Sequence, residues 1–390
     1  MKNLTLKKSK RRPRILSGHQ WAYRSELQGL DDIEAGEIVD LKDYRGQFIG
    51  RGYGNPLSEI SFRLLSFEKE SIDVAFFEKR LSQSFELRKR HGLLEQSCRL
   101  VFSEADLLPG FIVDWYAPVA VLSITTAGAD RLKNIFLEAL TKLLLVTIHK
   151  SQATIFERSD NPARLKEGLE IISQTLTGNL PEKVFGNFDG LNVEVDYQKG
   201  QKTGAFLDAR NMRRHLKENS QGQNVLDCFS HIGLFGRYAH SGGASHVTFV
   251  ETDSEPCSLI KTDLPQSEVI SENVFDVLRD LAKQKRTFDR IVLDPPPFAK
   301  DARSVEGALR GYKDINLRAM KLLNPGGLLY TSSCSYHVDG QLFAAAVNEA
   351  AIDAGTTLRV VENFIAAPDH PVLLSVPETS YFKGMCLEKI

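Results

Sequence analysis

An acid and a thiol, forty positions apart, each follow an apolar run of the sequence. The acid is Asp294, which opens the segment 294–298 (Asp-Pro-Pro-Pro-Phe) after the apolar run 290–293, and the thiol is Cys334, which stands between two serines. Three consecutive prolines donate no backbone hydrogen bond, so they end a strand in a rigid extended turn. Because open parallel sheets bind ligands at the carboxyl ends of their strands, we expect both groups to face one substrate.

The segment 294–298 alone favours methylation of an exocyclic amine. In motifs of the type (Asp/Asn)-Pro-Pro-aromatic, the acid and a proline carbonyl hold the amino group of a base, and the aromatic ring stacks on that base. The residues expected to contact the base are Pro295, Pro296 and Phe298. Adenine or guanine is then the target, and Cys334 is structural.

The thiol moves the interpretation to carbon 5 of cytosine. That carbon is a poor nucleophile, but addition of a thiolate at carbon 6 turns the ring into an enamine whose carbon 5 can attack a methyl sulfonium. Asp294 is the candidate to supply or hold a proton at the ring nitrogen while charge builds there. A base then removes the carbon 5 proton and the thiol leaves. Packing in a core strand is the plainer explanation of Cys334, but its flanking serines are too polar for one.

A strand, a turn and a helix at 224–235 predict a cofactor site. Asp227 lies near the end of this strand and Glu251 ends the next one, where an acid binds the ribose hydroxyls of a nucleoside. The turn contains Gly233 but not the GxGxxG pattern, so S-adenosylmethionine, which has no phosphate, suits it better than a dinucleotide. An unrelated βαβ unit is the alternative. Asn273 follows a third expected strand, where its amide either pairs with an adenine edge or caps a helix.

Length and composition describe a globular chain of two or three domains. It has 390 residues, 42% of them hydrophobic and 25% charged. It contains neither an apolar run of the roughly 18 residues that cross a bilayer nor the apolar core of a signal peptide, so we expect a cytosolic protein with no membrane partner. The five cysteines lack CxxC spacing, which favours neither a disulfide framework nor a metal site.

The amino end is strongly basic, although the formal net charge is only −1. The cations that precede the first acid, Glu26, are Lys2, Lys7, Lys8, Lys10, Arg11, Arg12, Arg14 and Arg24. A basic arm attracts nucleic-acid backbones by releasing their counterions. The residues expected to contact the substrate are Lys7, Lys8, Arg11 and Arg12. A solvated tail that only aids solubility is the alternative.

Periodicity divides the chain into three parts, 1–70, 71–185 and 186–390. Short apolar runs between glycines at 15–66 predict a small barrel. The middle part is expected to contain a helix at 72–94, a hairpin of strands 99–102 and 119–124, a helix at about 130–145 and a strand at 153–157. The last part is expected to form a mostly parallel sheet from strands near 191–196, 224–228, 246–250, 288–293 and 327–333. The link 251–273 is expected to be too short for a full helix.

With these motifs assembled, the chain resembles the bacterial 23S ribosomal RNA 5-methylcytosine methyltransferases that carry an amino-terminal PUA domain. The matching segments are 17–21, 50–56, 108–114, 157–160, 200–210, the Asp227 strand, 311–316 and the Cys334 segment. They span nearly the whole chain. The chain departs from the family at Pro297, Leu234 and Asn273, where a lysine, a small residue and an aspartate are usual.

The resemblance implies an α/β fold, in which a Rossmann-like class I methyltransferase domain follows a small PUA-like β-barrel and a small α+β middle domain. It also implies S-adenosylmethionine as cofactor, 23S ribosomal RNA as partner, Cys334 as nucleophile and Asp294 as the acid that holds the base. The segment 202–210 is expected to close over the cofactor. The expected cofactor-binding residues are Asp227, Phe229, Gly233, Glu251, Asn273, Asp294, Phe206, Asp208 and Arg210. A homodimer is compatible with this interpretation.

Two other classes of protein stay open at this point. One is an exocyclic-amine RNA methyltransferase in which Cys334 is only structural. The other is an RNA-binding protein without catalysis, whose altered cofactor turn no longer holds S-adenosylmethionine. The sequence determines neither the target nucleotide nor whether naked RNA or an assembled ribosomal particle is the substrate.

Overall fold

The computed structural model describes residues 1–10, 12–147, 154–299 and 301–390, which form two compact units. The first unit comprises Met1–Leu207 and Pro368–Thr379, and the second comprises Asp208–Ala367 and Ser380–Ile390. The division of the chain near residues 70 and 185 stays a prediction. Among the described helices, none combines the length and the hydropathy that crossing a bilayer requires.

In its described residues, the first unit contains two larger sheets and a two-stranded one, with four α-helices. Its strands are β1 (Lys2–Leu6), β2 (Trp21–Ala22), β3 (Leu27–Gln28), β4 (Glu37–Lys42), β5 (Phe48–Gly54), β6 (Phe62–Ser66), β7 (Cys98–Phe102), β8 (Phe111–Tyr116), β9 (Val119–Ile124), β10 (Thr154–Ser159), β11 (Ile172–Thr177), β12 (Phe185–Phe188) and β13 (Leu191–Glu194). Its helices are α1 (Val74–Arg90), α2 (Ala127–Arg131), α3 (Lys133–Thr147) and α4 (Ala163–Lys166). The strand orders are β2-β6-β5-β4-β1-β3, β11-β10-β9-β8-β7 and β12-β13.

The first of these sheets includes the amino terminus, so the prediction of a basic arm from the first residue is wrong. β1 pairs in parallel with β4, starting from Lys2 opposite Val39. Leu4 and Leu6 are buried because alternate strand residues face the same core. The basic stretch that remains outside the sheet begins at Lys7.

In the second sheet, the predicted hairpin is wrong because a third strand lies between its two strands. The predicted helices pack against this sheet. β8 stands between β7 and β9 and is antiparallel to both, so 99–124 forms a three-stranded meander. Burial on this sheet explains the extra strand, because Phe111, Val113 and Trp115 fill the core against α1 and α3. The strand predicted near 191–196 also belongs elsewhere, since β13 pairs with β12.

The second unit is a seven-stranded sheet with helices on both faces. Its helices are α5 (Arg210–Glu218), α6 (Leu234–Ser241), α7 (Ser254–Asp263), α8 (Val274–Lys283), α9 (Val305–Leu322) and α10 (Gly340–Ala354). Its strands are β14 (Asn224–Cys228), β15 (His246–Val250), β16 (Glu268–Ile270), β17 (Phe288–Leu293), β18 (Leu323–Ser333), β19 (Leu358–Phe364) and β20 (Lys383–Lys389). The strand order is β16-β15-β14-β17-β18-β20-β19. The predicted mostly parallel sheet is therefore confirmed, with β20 antiparallel to its two neighbours.

Alternate residues of the central strands serve two separate cores. Ile291 and Leu293 of β17 pack with α8, α9 and α10, whereas Val292 packs with α5 and α6 on the other face. A strand buried on both faces reads as a continuous apolar run, as 291–293 does. This sandwich of helix, sheet and helix fixes the strand ends that carry the acid and the thiol.

The prediction that the link 251–273 lacks a full helix is wrong. α7 has 10 residues, and the side chain of its N-cap, Asp253, accepts a hydrogen bond from the backbone N–H of Glu255. The room comes from the following strand, β16, which has only 3 residues. The two last strands, β19 and β20, were not predicted at all.

Candidate active site

The carboxyl ends of the parallel strands stand side by side in the second unit. Cys228 of β14 pairs with Val250 of β15 and with Leu293 of β17, and Leu293 pairs with Thr331 of β18. Each strand therefore ends at the same edge of the sheet. The structure brings the predicted acids and the predicted thiol to this one edge.

Asp294 is held there by a residue that the sequence did not single out. Its carboxylate accepts a hydrogen bond from the hydroxyl of Ser332 on the neighbouring strand. Burial raises the pKa of Asp294 to about 6, and the charge of Asp208 raises it as well, while the Ser332 hydrogen bond and the charge of Arg213 lower it. A carboxyl group with this pKa exchanges its proton near neutral pH, as a general acid or base requires.

The Cys334 thiol lies against the turn that carries Asp294. Its Sγ is 3.9 Å from the carbonyl oxygen of Pro295, the residue that follows the acid. Cys334 is partly exposed, whereas the other thiols are buried; these are Cys98, Cys228, Cys257 and Cys386. Burial raises the pKa of Cys228 well above that of an ordinary thiol. Cys334 is thus the cysteine that a substrate can reach.

A buried tyrosine joins the two chemical segments. The hydroxyl of Tyr312, on α9, lies 3.0 Å from Oγ of Ser335 and accepts a hydrogen bond of 2.9 Å from Ser333. Oγ of Ser335 also accepts a 3.3 Å hydrogen bond from the backbone N–H of Ala299, just after the proline turn. The serines on either side of Cys334 therefore fix its backbone. Sequence reasoning noticed their polarity but did not identify Tyr312 as their partner, although 311–316 was among the family segments.

The predicted base-contacting residues lie on the same turn. Pro295 is buried and Pro296 is exposed. The half-buried ring of Phe298 packs against Tyr312, with ring centroids 4.8 Å apart. A side chain on Gly311 would meet this ring, because a Cβ there would lie 3.0 Å from it. The position of Phe298 is therefore determined by packing.

Of the two carboxylate oxygens of Asp227, one accepts a hydrogen bond and the other has no partner among the described residues. Oδ2 accepts a 2.8 Å hydrogen bond from the backbone N–H of Gly236, in α6. Oδ1 is buried and has no hydrogen-bond partner among the described residues. Burial raises the pKa of Asp227 to about 8, and the charges of Asp294 and Glu251 add to the rise. A bound cation that donates hydrogen bonds would satisfy this oxygen and relieve the repulsion.

Glu251 is oriented by the backbone around it. Oε2 accepts from the N–H of His231 at 2.7 Å, and Oε1 accepts from the N–H groups of Thr252 at 2.7 Å and Asp253 at 3.1 Å. A carboxylate has about four acceptor positions, so one remains on Oε2. That position can accept a ribose hydroxyl, as predicted for the end of the second strand.

The turn between β14 and α6 holds an uncommon backbone conformation. Phe229, His231 and Gly233 have positive φ angles of 60°, 49° and 75°. For a residue with a side chain, this costs on the order of 1–3 kcal/mol, and such positions cluster where ligands bind. Gly233 is required for space as well, because a Cβ there would lie 3.0 Å from the ring of Phe249. Leu234 follows as the buried first residue of α6.

Asn273 is the N-cap of α8. Its Oδ1 accepts a 2.9 Å hydrogen bond from the backbone N–H of Phe275. Of the two roles weighed for this residue, the structure shows the cap. The pairing of its amide N–H₂ with an adenine edge stays a prediction.

The segment predicted to close over the cofactor crosses the boundary between the units. Asp208 lies in the second unit, where its Oδ2 accepts a 2.6 Å hydrogen bond from the hydroxyl of Tyr381 and its charge acts on Asp294. Arg210 is buried at the start of α5. Phe206 belongs to the first unit and is half-buried there. Closure of the segment stays a prediction.

The predicted RNA-contacting cations lie in the first unit. Lys7, Lys8 and Arg12 are exposed, and Arg11 lies outside the described residues. Lys7 Nζ donates a 3.1 Å hydrogen bond to the carbonyl of Ser25. Arg12 donates one of 2.6 Å to the carbonyl of Leu16. In the described part of the chain, no group of three or more His, Cys, Asp or Glu side chains is placed to hold a metal ion.

The chain matches two family models. Residues 4–67 match the model of a PUA-like domain, and residues 173–379 match that of an S-adenosylmethionine-dependent methyltransferase. The second match covers the strand edge described above. The cofactor predicted from the turn after Asp227 is thus confirmed as that of the family.

Curated relatives match over almost the full length. "Ribosomal RNA large subunit methyltransferase I" of Enterobacter sp. (strain 638) is 38% identical over 384 residues, which cover 95% of each chain. The protein of the same name from Escherichia coli O9:H4 is 37% identical over the same share. At this identity and coverage the relationship extends to both units.

Solved structures show the same fold at lower identity. A chain from Streptococcus mutans described as a SAM-dependent methyltransferase has a TM-score of 0.82 at 20% identity, with 100% of both chains covered. A methyltransferase solved in complex with SAH has the same TM-score at 21% identity, again with 100% of both chains covered. The predicted α/β fold with a PUA-like β domain is confirmed. By its full-length relatives and its two family models, this chain belongs to the ribosomal RNA large subunit methyltransferase I family of S-adenosylmethionine-dependent enzymes.

Proposed function

We propose that this chain methylates carbon 5 of a cytosine in 23S ribosomal RNA through a covalent bond to Cys334. The observation that carries the proposal is the accessible thiol, 3.9 Å from a carbonyl of the turn that presents Asp294. The names of the relatives support the large ribosomal RNA as substrate. The thiol supports carbon 5, since methylation of an exocyclic amine needs no nucleophile from the protein.

The residues around Asp227 would hold the cofactor. S-adenosylmethionine carries a sulfonium and supplies a methyl group, which the activated carbon 5 accepts. The unsatisfied Oδ1 of Asp227 suits the ammonium of its methionine part, and the acceptor position left on Glu251 suits a ribose hydroxyl. Gly233 lets the turn keep its positive φ while it packs closely against Phe249 and Ile260. The acids at this edge also favour a cationic ligand.

Cys334 and Asp294 then have complementary roles: the thiolate donates electrons to the ring, and the acid stabilises the negative charge that builds up there. The thiolate of Cys334 gives an electron pair to carbon 6, and the ring electrons shift toward carbon 5 and the ring nitrogen. Asp294, with its pKa near 6, holds the proton at that nitrogen, and Ser332 fixes the carboxyl group while it does so. The target base must leave its stack to meet both groups.

The turn after β17 also supports a second function. Asp294 followed by two prolines and a later aromatic is typical of enzymes that methylate adenine or guanine amines. In that case Asp294 would hold an amino group and Cys334 would only pack against Pro295. The two functions give different products, so the product decides between them.

Mass mapping of modified nucleosides tests the proposal. We expect 23S ribosomal RNA from cells that lack this protein to lose one 5-methylcytosine, and the purified chain to restore it with S-adenosylmethionine. Loss of a methylated adenine or guanine amine instead would establish the second function. Transcribed RNA and assembled subunits, tried in parallel, would identify the form of the substrate.

The basic stretch is expected to contribute to RNA affinity in a salt-dependent way. Deleting residues 1–14 would also remove β1 from its sheet, so the better change is glutamine at Lys7, Lys8, Lys10 and Arg12. The logarithm of the RNA-binding constant decreases with the logarithm of salt concentration, and this slope becomes shallower by roughly 0.7–0.9 for every phosphate that the protein no longer neutralises. Binding titrations at a series of salt concentrations measure that slope. The matched control replaces four exposed lysines of the second unit, Lys261, Lys283, Lys285 and Lys321. An equal loss in both variants would mean that the stretch only adds net charge.

Two further predictions belong with this function. An enzyme of bacterial ribosomal RNA is expected to work in the cytosol. A homodimer is compatible with this function. Both stay predictions.

A further inference from the structure

Lys383, on the antiparallel strand β20, contacts the residues on both sides of the proposed nucleophile, Cys334. Lys383 pairs with Ser333 in the ladder between β18 and β20. Its Nζ donates a 2.6 Å hydrogen bond to the backbone carbonyl of Ser335. Since Ser333 and Ser335 flank Cys334, the lysine runs past the nucleophile and is anchored beyond it.

The ammonium of Lys383 lies in a half-buried position where charge is costly. Burial lowers the pKa of Lys383 to about 8, whereas the charges of Cys334 and Asp339 raise it. Asp339 is the N-cap of α10, and its carboxylate accepts a 2.8 Å hydrogen bond from the N–H of Leu342. From the helix side, Gly340 presents only backbone to the lysine stem. Among the described residues, Cys334 and Asp339 are the charged groups that interact electrostatically with Lys383. Asp339 also uses one carboxylate oxygen to cap α10.

The interaction between Lys383 and Cys334 is mutual. If a thiolate at position 334 favours the protonated lysine, then the protonated lysine favours the thiolate by the same free energy. A neighbouring ammonium is one of the features that convert an ordinary thiol into a reactive one. The anchor on the Ser335 carbonyl keeps this ammonium in place before any substrate binds.

We propose that Lys383 is a positioning residue that keeps Cys334 in its thiolate form and stabilises it as a leaving group, a role that rests on the proposed covalent chemistry. The thiol proton leaves to water, and Lys383 keeps its own protons throughout. The sulfur's electron pair forms the bond to carbon 6. When a base takes the proton from carbon 5, the C–H electron pair re-forms the double bond to carbon 6, and the carbon–sulfur pair returns to sulfur beside the ammonium.

Alkylation of the free enzyme tests this without RNA or cofactor. The rate at which iodoacetamide modifies Cys334 is measured across a pH series in the full chain, and peptide mass spectrometry separates Cys334 from the four buried cysteines. The variants are Lys383→Gln, Lys383→Arg and the control Lys389→Gln. Lys389 ends the same strand, and its Nζ also donates to backbone carbonyls, at 2.8 Å to Met320 and 2.7 Å to Leu323.

We expect Lys383→Gln to move the midpoint of the alkylation profile upward by about one pH unit, so that alkylation at neutral pH slows roughly tenfold, with the alkaline plateau unchanged. Lys383→Arg retains the charge and should keep the wild-type midpoint. Lys389→Gln should also keep it. A purely structural role would change the plateau or the thermal midpoint and leave the pH midpoint in place.

Three outcomes overturn the proposal: an unchanged midpoint in Lys383→Gln, an equal shift in Lys389→Gln, or a shift in Lys383→Arg as large as that in Lys383→Gln. The result is independent of the methylation product. If the midpoint moves but the product is a methylated amine, the proposed function fails while the pairing of Lys383 with Cys334 stands. If 5-methylcytosine is found but the midpoint stays, only this inference fails.

Discussion

Replacing Cys334 with alanine is expected to abolish formation of 5-methylcytosine and to leave the fold and cofactor affinity intact. The side chain is partly exposed, and the contact to Pro295 at 3.9 Å is a weak one, so its removal leaves no large cavity. Without the thiolate, carbon 5 has no route to nucleophilic character, and removal of a nucleophile commonly costs roughly 10⁴-fold or more. Single-turnover transfer of a labelled methyl group to 23S ribosomal RNA measures the loss.

The control for this variant is Cys98→Ala, which removes a thiol from the buried core of the first unit. It should keep methyl transfer and lose only some stability. Calorimetry with S-adenosylmethionine should give wild-type affinity for Cys334→Ala. Full methyl transfer by that variant would contradict the covalent mechanism and leave amine methylation as the better explanation. Loss of both cofactor binding and activity would mean that the thiol is structural.

The neighbourhood of Asp294 and Cys334 was predictable because parallel strands place their carboxyl ends at one edge. The two apolar runs and the proline turn were enough to expect that placement. The roles of Ser332 and Lys383 were not. Ser332 reaches Asp294 only through the β17–β18 pairing, and Lys383 reaches Ser335 only because β20 joins the sheet antiparallel to β18. Local sequence patterns contain little information on such distant pairings.

Short elements account for the wrong predictions in the fold. β1 has only five residues and directly precedes the most basic stretch of the chain, so the alternation of Leu4 and Leu6 was read as part of a basic arm. The ten residues of α7 fit because β16 has only three. Strand pairing and burial decide such elements, and neither is a property of a local window. The long periodic helix α1 was predicted well, because its pattern repeats over several turns.

The pKa values of the site also depend on strand pairing and burial, which a local stretch of sequence does not reveal. The sequence showed an acid at each strand end, but the repulsion among Asp227, Glu251 and Asp294 appears only when the strands are aligned. Burial then raises the pKa of Asp227 to about 8 and that of Asp294 to about 6. Folding thus gives these aspartates pKa values nearer to neutral pH than those of aspartates in solution.

Replacing Asp294 with asparagine is expected to slow methyl transfer while making the protein more stable at neutral pH. Asparagine keeps the shape and an oxygen that can accept from Ser332, but it cannot hold a proton for the base. Loss of a general acid or base typically costs roughly 10²- to 10⁴-fold, and single-turnover methylation should fall within that range. Asp289→Asn, at the other end of β17, is the control and should retain activity.

The gain in stability from Asp294→Asn has a definite dependence on pH. Burial raises the pKa of Asp294 from 3.8 to about 6, so the folded state binds its proton more tightly than the unfolded state does. Wild-type stability from this group is therefore full below about pH 4 and is lost as pH rises through about 6. Above that pH, asparagine avoids the cost of a buried charge, worth about 1–3 kcal/mol. Urea unfolding of both proteins at about pH 4 and about pH 8 should show that difference only at the higher pH, and an equal difference at both would contradict it.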